Sequence, residues 1–208
     1  MKFLILGATG GIGLETVRQA VARHHSVTAF VRSPDRLAAF QDSITLEQGD
    51  LLSSSELARA IQGKDAVLSA FGPRVPVTKA DVNLLRDFAS ALTSAMQQAS
   101  VRRLVIVSTA FLFKDSILPP AHLVGRLFFP GVVADASAME RTITESGLDW
   151  TIVRPPQLTD KPPSGRYRVR EGHLPLFGFH VSRADVADLL IKTAEDRTYA
   201  GRVLGMSD

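Results

Sequence analysis

The stretch Lys2-Phe3-Leu4-Ile5-Leu6-Gly7-Ala8-Thr9-Gly10-Gly11-Ile12-Gly13 decides the fold. A short run suited to a buried strand passes directly into a turn with glycines at 7, 10 and 13, and a stretch of helical length, Ile12–Ala22, follows. A tight turn needs a residue without Cβ, close approach of backbone to a ligand needs a second, and packing of helix on strand needs a third. Free N–H groups and the positive dipole end at the helix start then suit a diphosphate. A glycine-rich strand-to-helix turn with no ligand is the plainer alternative, but Thr9 and three spaced glycines exceed what a plain turn requires. No Lys-Ser or Lys-Thr pair follows, so the turn is not a P-loop.

Working outward, the same alternation recurs. Apolar, β-branched runs at Lys2–Leu6, Ser26–Val31, Ile44–Glu47, Ala66–Ala70, Leu104–Val107 and Trp150–Val153 are separated by stretches of helical length. That is the pattern of βαβ units, and it predicts six parallel strands in a single doubly wound α/β Rossmann domain, 1–208, with small C-terminal substrate-side elaborations. Helix starts are legible at Ser53-x-x-Glu56, Thr78-x-x-Asp81 and Ser182-x-x-Asp185, the last opening a helix to about Ala194, and a further helix is expected over Val133–Glu145. Gly63 and Gly147 sit where helices should end in a left-handed cap. Composition changes after Ile117, where Leu118-Pro119-Pro120 opens a Phe-, Leu- and Pro-rich segment. The pairs Pro155-Pro156 and Pro162-Pro163 exclude a helix and predict a long loop there. These substrate-side loops, about 110–131 and 155–180, follow strand ends, where open α/β sheets bind ligands.

Composition narrows the classes. With 208 residues, 45% hydrophobic and 22% charged, the chain has the make-up of a globular domain with its own core. Zero cysteines exclude a disulfide framework, a thiolate metal site and a Cys nucleophile. The first apolar run stops at glycines without a signal-peptide pattern, and no run approaches the roughly 20 residues of a membrane span. A cytoplasmic protein is expected. The net charge of +3 is scattered apart from Arg166, Arg168 and Arg170, which alternate with Tyr167 and Val169 as in a half-solvated strand. No basic stripe suggests nucleic acid. The expected partner is a small-molecule substrate, with no nucleic acid and no membrane; oligomeric state is open, with a monomer favoured.

The second strand ends at Arg32, followed by Ser33, Pro34, Asp35 and Arg36. NAD-preferring sites place a carboxylate at this tip for the ribose 2′-hydroxyl, whereas guanidinium groups suit the 2′-phosphate of NADP. Two solvated arginines, one paired with Asp35, are the alternative. Gly49-Asp50 and Ala70-Phe71-Gly72 fall at the next strand ends; Asp50 would lie near an adenine or serve as a turn residue, and Gly72 would lie against a cofactor. Ser108 and Thr109 end the fifth strand, where hydroxyls reach a carboxamide or a substrate carbonyl. Gly-x-Ser-x-Gly is absent there, which argues against a hydrolase. Phe111, Phe113, Phe128 and Phe129 would form an apolar wall over a planar substrate, or else pack in the core. His24-His25 are adjacent and so do not share a helix face, while His122, His173 and His180 lack ligand spacing. No metal is expected.

These residues together resemble the atypical short-chain dehydrogenase/reductase family, in its NmrA-like and biliverdin IXβ reductase (flavin reductase)-like group. The likeness rests on the glycine turn, Arg32-Ser33, Gly49-Asp50, Val107-Ser108-Thr109-Ala110-Phe111, the run Glu145 to Pro156 containing Ser146-Gly147-Leu148-Asp149-Trp150-Thr151-Ile152-Val153-Arg154-Pro155, and Ser182-Arg183-Ala184-Asp185-Val186-Ala187. The resemblance implies NADP(H), with Thr9, Gly10, Gly11 and Ile12 on the diphosphate, Arg32 and Arg36 on the 2′-phosphate, and Asp50 with Leu51 on the adenine side. It further implies that Thr109, Pro156, Gln157 and Leu158 line the nicotinamide and substrate pocket. One departure bears on chemistry: the family's usual Tyr-x-x-x-Lys acid is missing, because the tyrosines are Tyr167 and Tyr199, far downstream. Hydride transfer to a flavin, quinone or tetrapyrrole-like acceptor, with the proton from water, fits that departure. An NADP(H)-binding redox sensor with little catalysis fits it too.

Overall fold

The computed structural model describes residues 1–73, 83–113 and 130–208. In chain order the elements are β1 (Lys2–Leu6), α1 (Gly11–Ala22), β2 (Ser26–Val31), β3 (Thr45–Gln48), α2 (Ser54–Ile61), β4 (Ala66–Ser69), α3 (Leu84–Gln98) and β5 (Arg103–Val107). Then follow α4 (Pro130–Thr144), β6 (Asp149–Arg154), β7 (Gln157–Thr159), β8 (Arg168–Glu171), β9 (His180–Ser182), α5 (Arg183–Glu195) and β10 (Arg202–Ser207). Among the described residues the main sheet has eight strands, in the order β3-β2-β1-β4-β5-β6-β10-β8. All its pairings are parallel except β10 with β8. This is the doubly wound Rossmann arrangement, with the strand order reversing between β1 and β4.

Alternation along the strands divides the core. Phe3 and Ile5 of β1 join residues of α1 and α5 on one face, while Leu4 and Leu6 join α2, α3 and α4 on the other. Both faces are covered, so the central strands read as unbroken apolar runs. The caps form as expected: the Ser53 hydroxyl accepts from the Glu56 N–H at 3.4 Å, and the Ser182 hydroxyl accepts from the Asp185 N–H at 2.9 Å. Gly63 and Gly147 both have φ of 72°, the left-handed conformation a C-terminal cap demands. Asp135 of α4 takes the N–H groups of Leu85 and Arg86 at 2.8 and 3.0 Å, so one helix caps the start of its neighbour.

Three expectations need correcting. Among the described residues the sheet has eight strands, not six: β10 enters between β6 and β8. Gly205 interrupts its apolar pattern, because a Cβ there would lie 2.1 Å from the His173 carbonyl oxygen. The loop after β6 contains the short strand β7, paired in parallel with β9 through Gln157↔His180, Leu158↔Val181 and Thr159↔Ser182. The helix expected from Val133 starts at Pro130 instead, where a first-turn proline sacrifices no intrahelical hydrogen bond. The Thr78-x-x-Asp81 signal and the segment opening at Leu118-Pro119-Pro120 lie outside the described residues, as do His122, Phe128 and Phe129.

Candidate cofactor and substrate site

The site is built where β1 and β4 diverge. Gly7 adopts φ of 74°, and a Cβ there would lie 2.7 Å from the Ala70 carbonyl carbon and the Phe71 nitrogen. The turn and the end of β4 are therefore in contact. Gly13 is equally constrained: its Cβ would sit 2.1 Å from the Gly7 carbonyl oxygen, so only glycine lets α1 pack this close to the strand. The Gly10 N–H donates to the Gly7 carbonyl at 2.9 Å and closes the turn. Gly10 provides no side-chain cap to α1, and the first turn carries no acidic residue. The early N–H groups of α1, including those of Gly11, Ile12 and Gly13, have no intrahelical acceptor. This is a glycine cradle whose backbone donors suit a diphosphate.

At the end of β2 the Arg36 guanidinium donates to the Thr9 carbonyl oxygen at 2.7 Å, while Arg32 is exposed. Asp35 accepts from the Ser33 hydroxyl at 2.6 Å, so the pairing with Asp35 set against the 2′-phosphate reading does not form. Among the described residues neither arginine has a carboxylate at ion-pair distance. Asp50 behaves as a turn residue: its carboxylate accepts from the Leu52 N–H at 3.0 Å, and its own N–H donates to Glu56 at 2.9 Å. Leu51 is buried in the core. Gly72 is exposed, and a Cβ added there would meet nothing within 4 Å among the described residues, whereas Phe71 packs on Phe88 with ring centroids 4.6 Å apart.

On the opposite side, the Ser108 N–H donates to the Val153 carbonyl at 2.8 Å, and its hydroxyl oxygen is buried without a hydrogen-bond partner among the described residues. The Thr109 hydroxyl accepts from the Phe111 N–H at 3.3 Å and opens the short turn Ala110–Leu112, which leaves its proton to donate. Ala110 N–H reaches the Pro155 carbonyl at 3.2 Å, which ties this turn to the segment carrying Pro156, Gln157 and Leu158. Pro156 and Leu158 are half-buried and Gln157 is exposed. Phe111 is half-buried and stays a candidate wall. Phe113 is 3% exposed, packed with Ala110 and Leu174, and its ring face is occupied by the Arg154 guanidinium at 4.7 Å. The core-packing alternative therefore describes it.

Two arrangements went unread in the sequence. Arg154, at the end of β6, makes a two-pronged ion pair with Glu140 of α4, with contacts of 2.9 and 2.5 Å, beneath the Phe113 ring. Arg183, the first residue of α5, lies against Gly11: a Cβ on Gly11 would meet the arginine Cδ at 2.5 Å. Both depend on residues far apart in the chain, so spacing gives no sign of them. Asp185 anchors the loop after β7. Burial opposes its ionisation, but the N–H groups of Gly165 and Ser164 and the Ser182 hydroxyl outweigh that and hold the carboxyl below the usual range. Tyr167 donates to Asp188 at 2.5 Å, and burial together with that carboxylate pushes the phenol well above its ordinary value. It is thereby committed to structure and unsuited to proton transfer at neutral pH. Among the described residues no group of His, Asp and Glu converges as a metal site, and no helix is long and apolar enough to cross a membrane.

Comparison with known proteins agrees with this geometry. The chain is 30% identical over 200 residues to an uncharacterised chloroplastic protein of Arabidopsis thaliana, At2g34460, with 92% of this chain and 71% of that protein covered. A putative exported protein from Burkholderia pseudomallei superposes with a TM-score of 0.82 at 26% identity, covering 100% of both chains. ChuY, an anaerobillin reductase from Escherichia coli O157:H7, shares the fold with a TM-score of 0.81 at 22% identity, covering 100% of this chain and 97% of that one. A family model described as NAD(P)H-binding matches residues 7–197, and with the glycine cradle between β1 and α1 it places this chain in the NAD(P)H-binding family of Rossmann-fold proteins.

Proposed function

We propose that the protein is an NADPH-dependent reductase that transfers hydride to a planar conjugated acceptor such as a flavin, a quinone or a tetrapyrrole-like molecule. The observation that carries this reading is the make-up of the β5 end. The hydroxyls there belong to Ser108 and Thr109, and α4, which follows β5, contains neither tyrosine nor lysine. Reduction of an isolated ketone benefits from a positioned acid to neutralise the developing alkoxide, typically by a factor of about 100 to 10,000. A conjugated acceptor spreads the incoming charge and takes its proton from water.

When bound, the nicotinamide supplies the hydride. The chain supplies placement. The turn from Gly7 to Gly13 holds the diphosphate with backbone N–H groups, and Arg32, with the free nitrogens of Arg36, selects the 2′-phosphate. The Ser108 hydroxyl, unpartnered among the described residues, is suited to a carboxamide or substrate carbonyl, and Thr109 offers a second donor beside it. Phe111 provides an apolar flank. The Arg154–Glu140 pair, packed on Phe113, holds the segment that carries these groups.

The test is turnover: NADPH mixed with the protein and a panel of flavins, quinones, enones and linear tetrapyrroles, followed by loss of the reduced-nicotinamide absorbance. Oxidation with at least one conjugated acceptor, faster than with simple aldehydes and ketones, is expected. Tight NADPH binding with no turnover on any acceptor overturns the catalytic reading and leaves the redox sensor.

A further inference from the structure

We infer that Arg183 is an additional diphosphate ligand, latched by Asp160 when it is not engaged; the inference rests on the cofactor reading above. Arg183 is the first residue of α5, yet its side chain crosses to the glycine turn. Its Cδ and Nε lie 2.5 and 2.8 Å from the position a Gly11 Cβ would occupy, so the absence of a side chain at Gly11 is what leaves room for the arginine stem. The guanidinium thus arrives at the first turn of α1, where Gly10 gives no cap and no acidic side chain competes. Its partner is Asp160, at 2.6 Å. Asp160 is 89% exposed, against 31% for Arg183. A solvated pair of this kind is weak and screened by salt.

A diphosphate at the start of α1 offers oxygens that accept in the planar fork geometry a guanidinium favours, and it carries more charge than one carboxylate. It therefore displaces Asp160. Asp160 directly follows β7, whose Gln157 and Leu158 border the nicotinamide side in the cofactor reading. Engagement of Arg183 at one end of the cofactor so frees the loop that borders the other end. Arg183 complements Arg32 and Arg36: it binds what NADPH and NADH share, not the 2′-phosphate.

Calorimetric titration of the full chain with NADPH, NADH, ADP and AMP tests this in the wild type, Arg183→Met, Asp160→Asn and the double variant. Methionine keeps an apolar stem against Gly11 and removes the charge. Arg183→Met is expected to weaken NADPH, NADH and ADP by a common factor of about 10 to 100, with a smaller loss for AMP and an unchanged unfolding temperature. Asp160→Asn is expected to tighten the dinucleotides by up to about fivefold, an effect that vanishes in the double variant. Wild-type affinity in Arg183→Met, or a loss confined to NADPH, overturns the ligand role of Arg183 and the latch with it; weaker binding in Asp160→Asn overturns the latch; both outcomes leave the cofactor reading standing. A wild type that binds none of the four nucleotides overturns the cofactor reading with it.

Discussion

The Arg36 guanidinium donates to the Thr9 carbonyl oxygen at 2.7 Å, which joins the tip of β2 to the glycine turn after β1. The proposed diphosphate cradle and the proposed 2′-phosphate region are thus one connected piece. Arg32, exposed beside it, has no such tie to the turn. The two arginines therefore separate experimentally. Arg32→Ala should weaken NADPH by about 1.5–3 kcal/mol, toward the lower figure at high salt, and leave NADH nearly unchanged. Arg36→Ala should weaken both, because it loosens Thr9 as well as removing a cation. Paired binding measurements with the two cofactors check this; equal losses for both cofactors in Arg32→Ala contradict its role.

Ser108 offers a separation of stability from function. Its buried hydroxyl has no partner among the described residues, so Ser108→Ala removes an unsatisfied polar atom and should leave the unfolding temperature unchanged or slightly raised. Activity should nonetheless fall, through loss of a hydrogen bond to the carboxamide or substrate. Thermal unfolding and steady-state kinetics on the same preparation decide it. Falling stability with intact kcat/KM shows the hydroxyl to be structural.

The strand-to-helix turn was legible because its glycines answer a local steric demand, and the same holds for the caps at Ser53 and Ser182 and the left-handed Gly63 and Gly147. Local chemistry fixes such features within a few residues. β10 was missed because Gly205 breaks its pattern, and that glycine is needed for an approach by His173 that only the folded chain creates. Phe113 illustrates the same limit: as an apolar residue after β5 it suits a substrate wall or a core, and the choice is made by Arg154, which packs on its ring from another strand. Arg183 sits in a motif that marks a helix start, while its reach to Gly11 is a tertiary fact.

The Arg154–Glu140 pair makes a stability prediction. Both side chains are largely buried, at 15% and 9% exposure, so removing one leaves a desolvated charge. Glu140→Ala should cost about 3–5 kcal/mol. At the lower figure the unfolding temperature drops by roughly 6–12 °C for a chain of this size. Replacing both with apolar residues, Glu140→Leu with Arg154→Met, should cost less than the single change. A double variant less stable than Glu140→Ala contradicts the account.

Acid should loosen the loop after β7. The folded-state pKa of Asp185 is depressed, so its contribution is present above the ordinary carboxylate value of about 4 and is lost as pH falls from there through the folded value. Asp188, bound by Lys192, Tyr167 and Arg23 against the opposing effect of burial, follows the same sign. Unfolding temperatures measured from neutral pH to acid should hold steady to about pH 5 and fall below it. Asp185→Asn should start lower and fall less steeply. An equal slope in both proteins contradicts the role given to the carboxylate.

The central claim is that the turn between β1 and α1 binds a dinucleotide and that the neighbouring arginines read its extra phosphate. Calorimetric titration of the wild-type chain with NADPH and with NADH tests it most directly. Saturable binding of NADPH, tighter than that of NADH, is the predicted result; no heat from either cofactor would contradict the account.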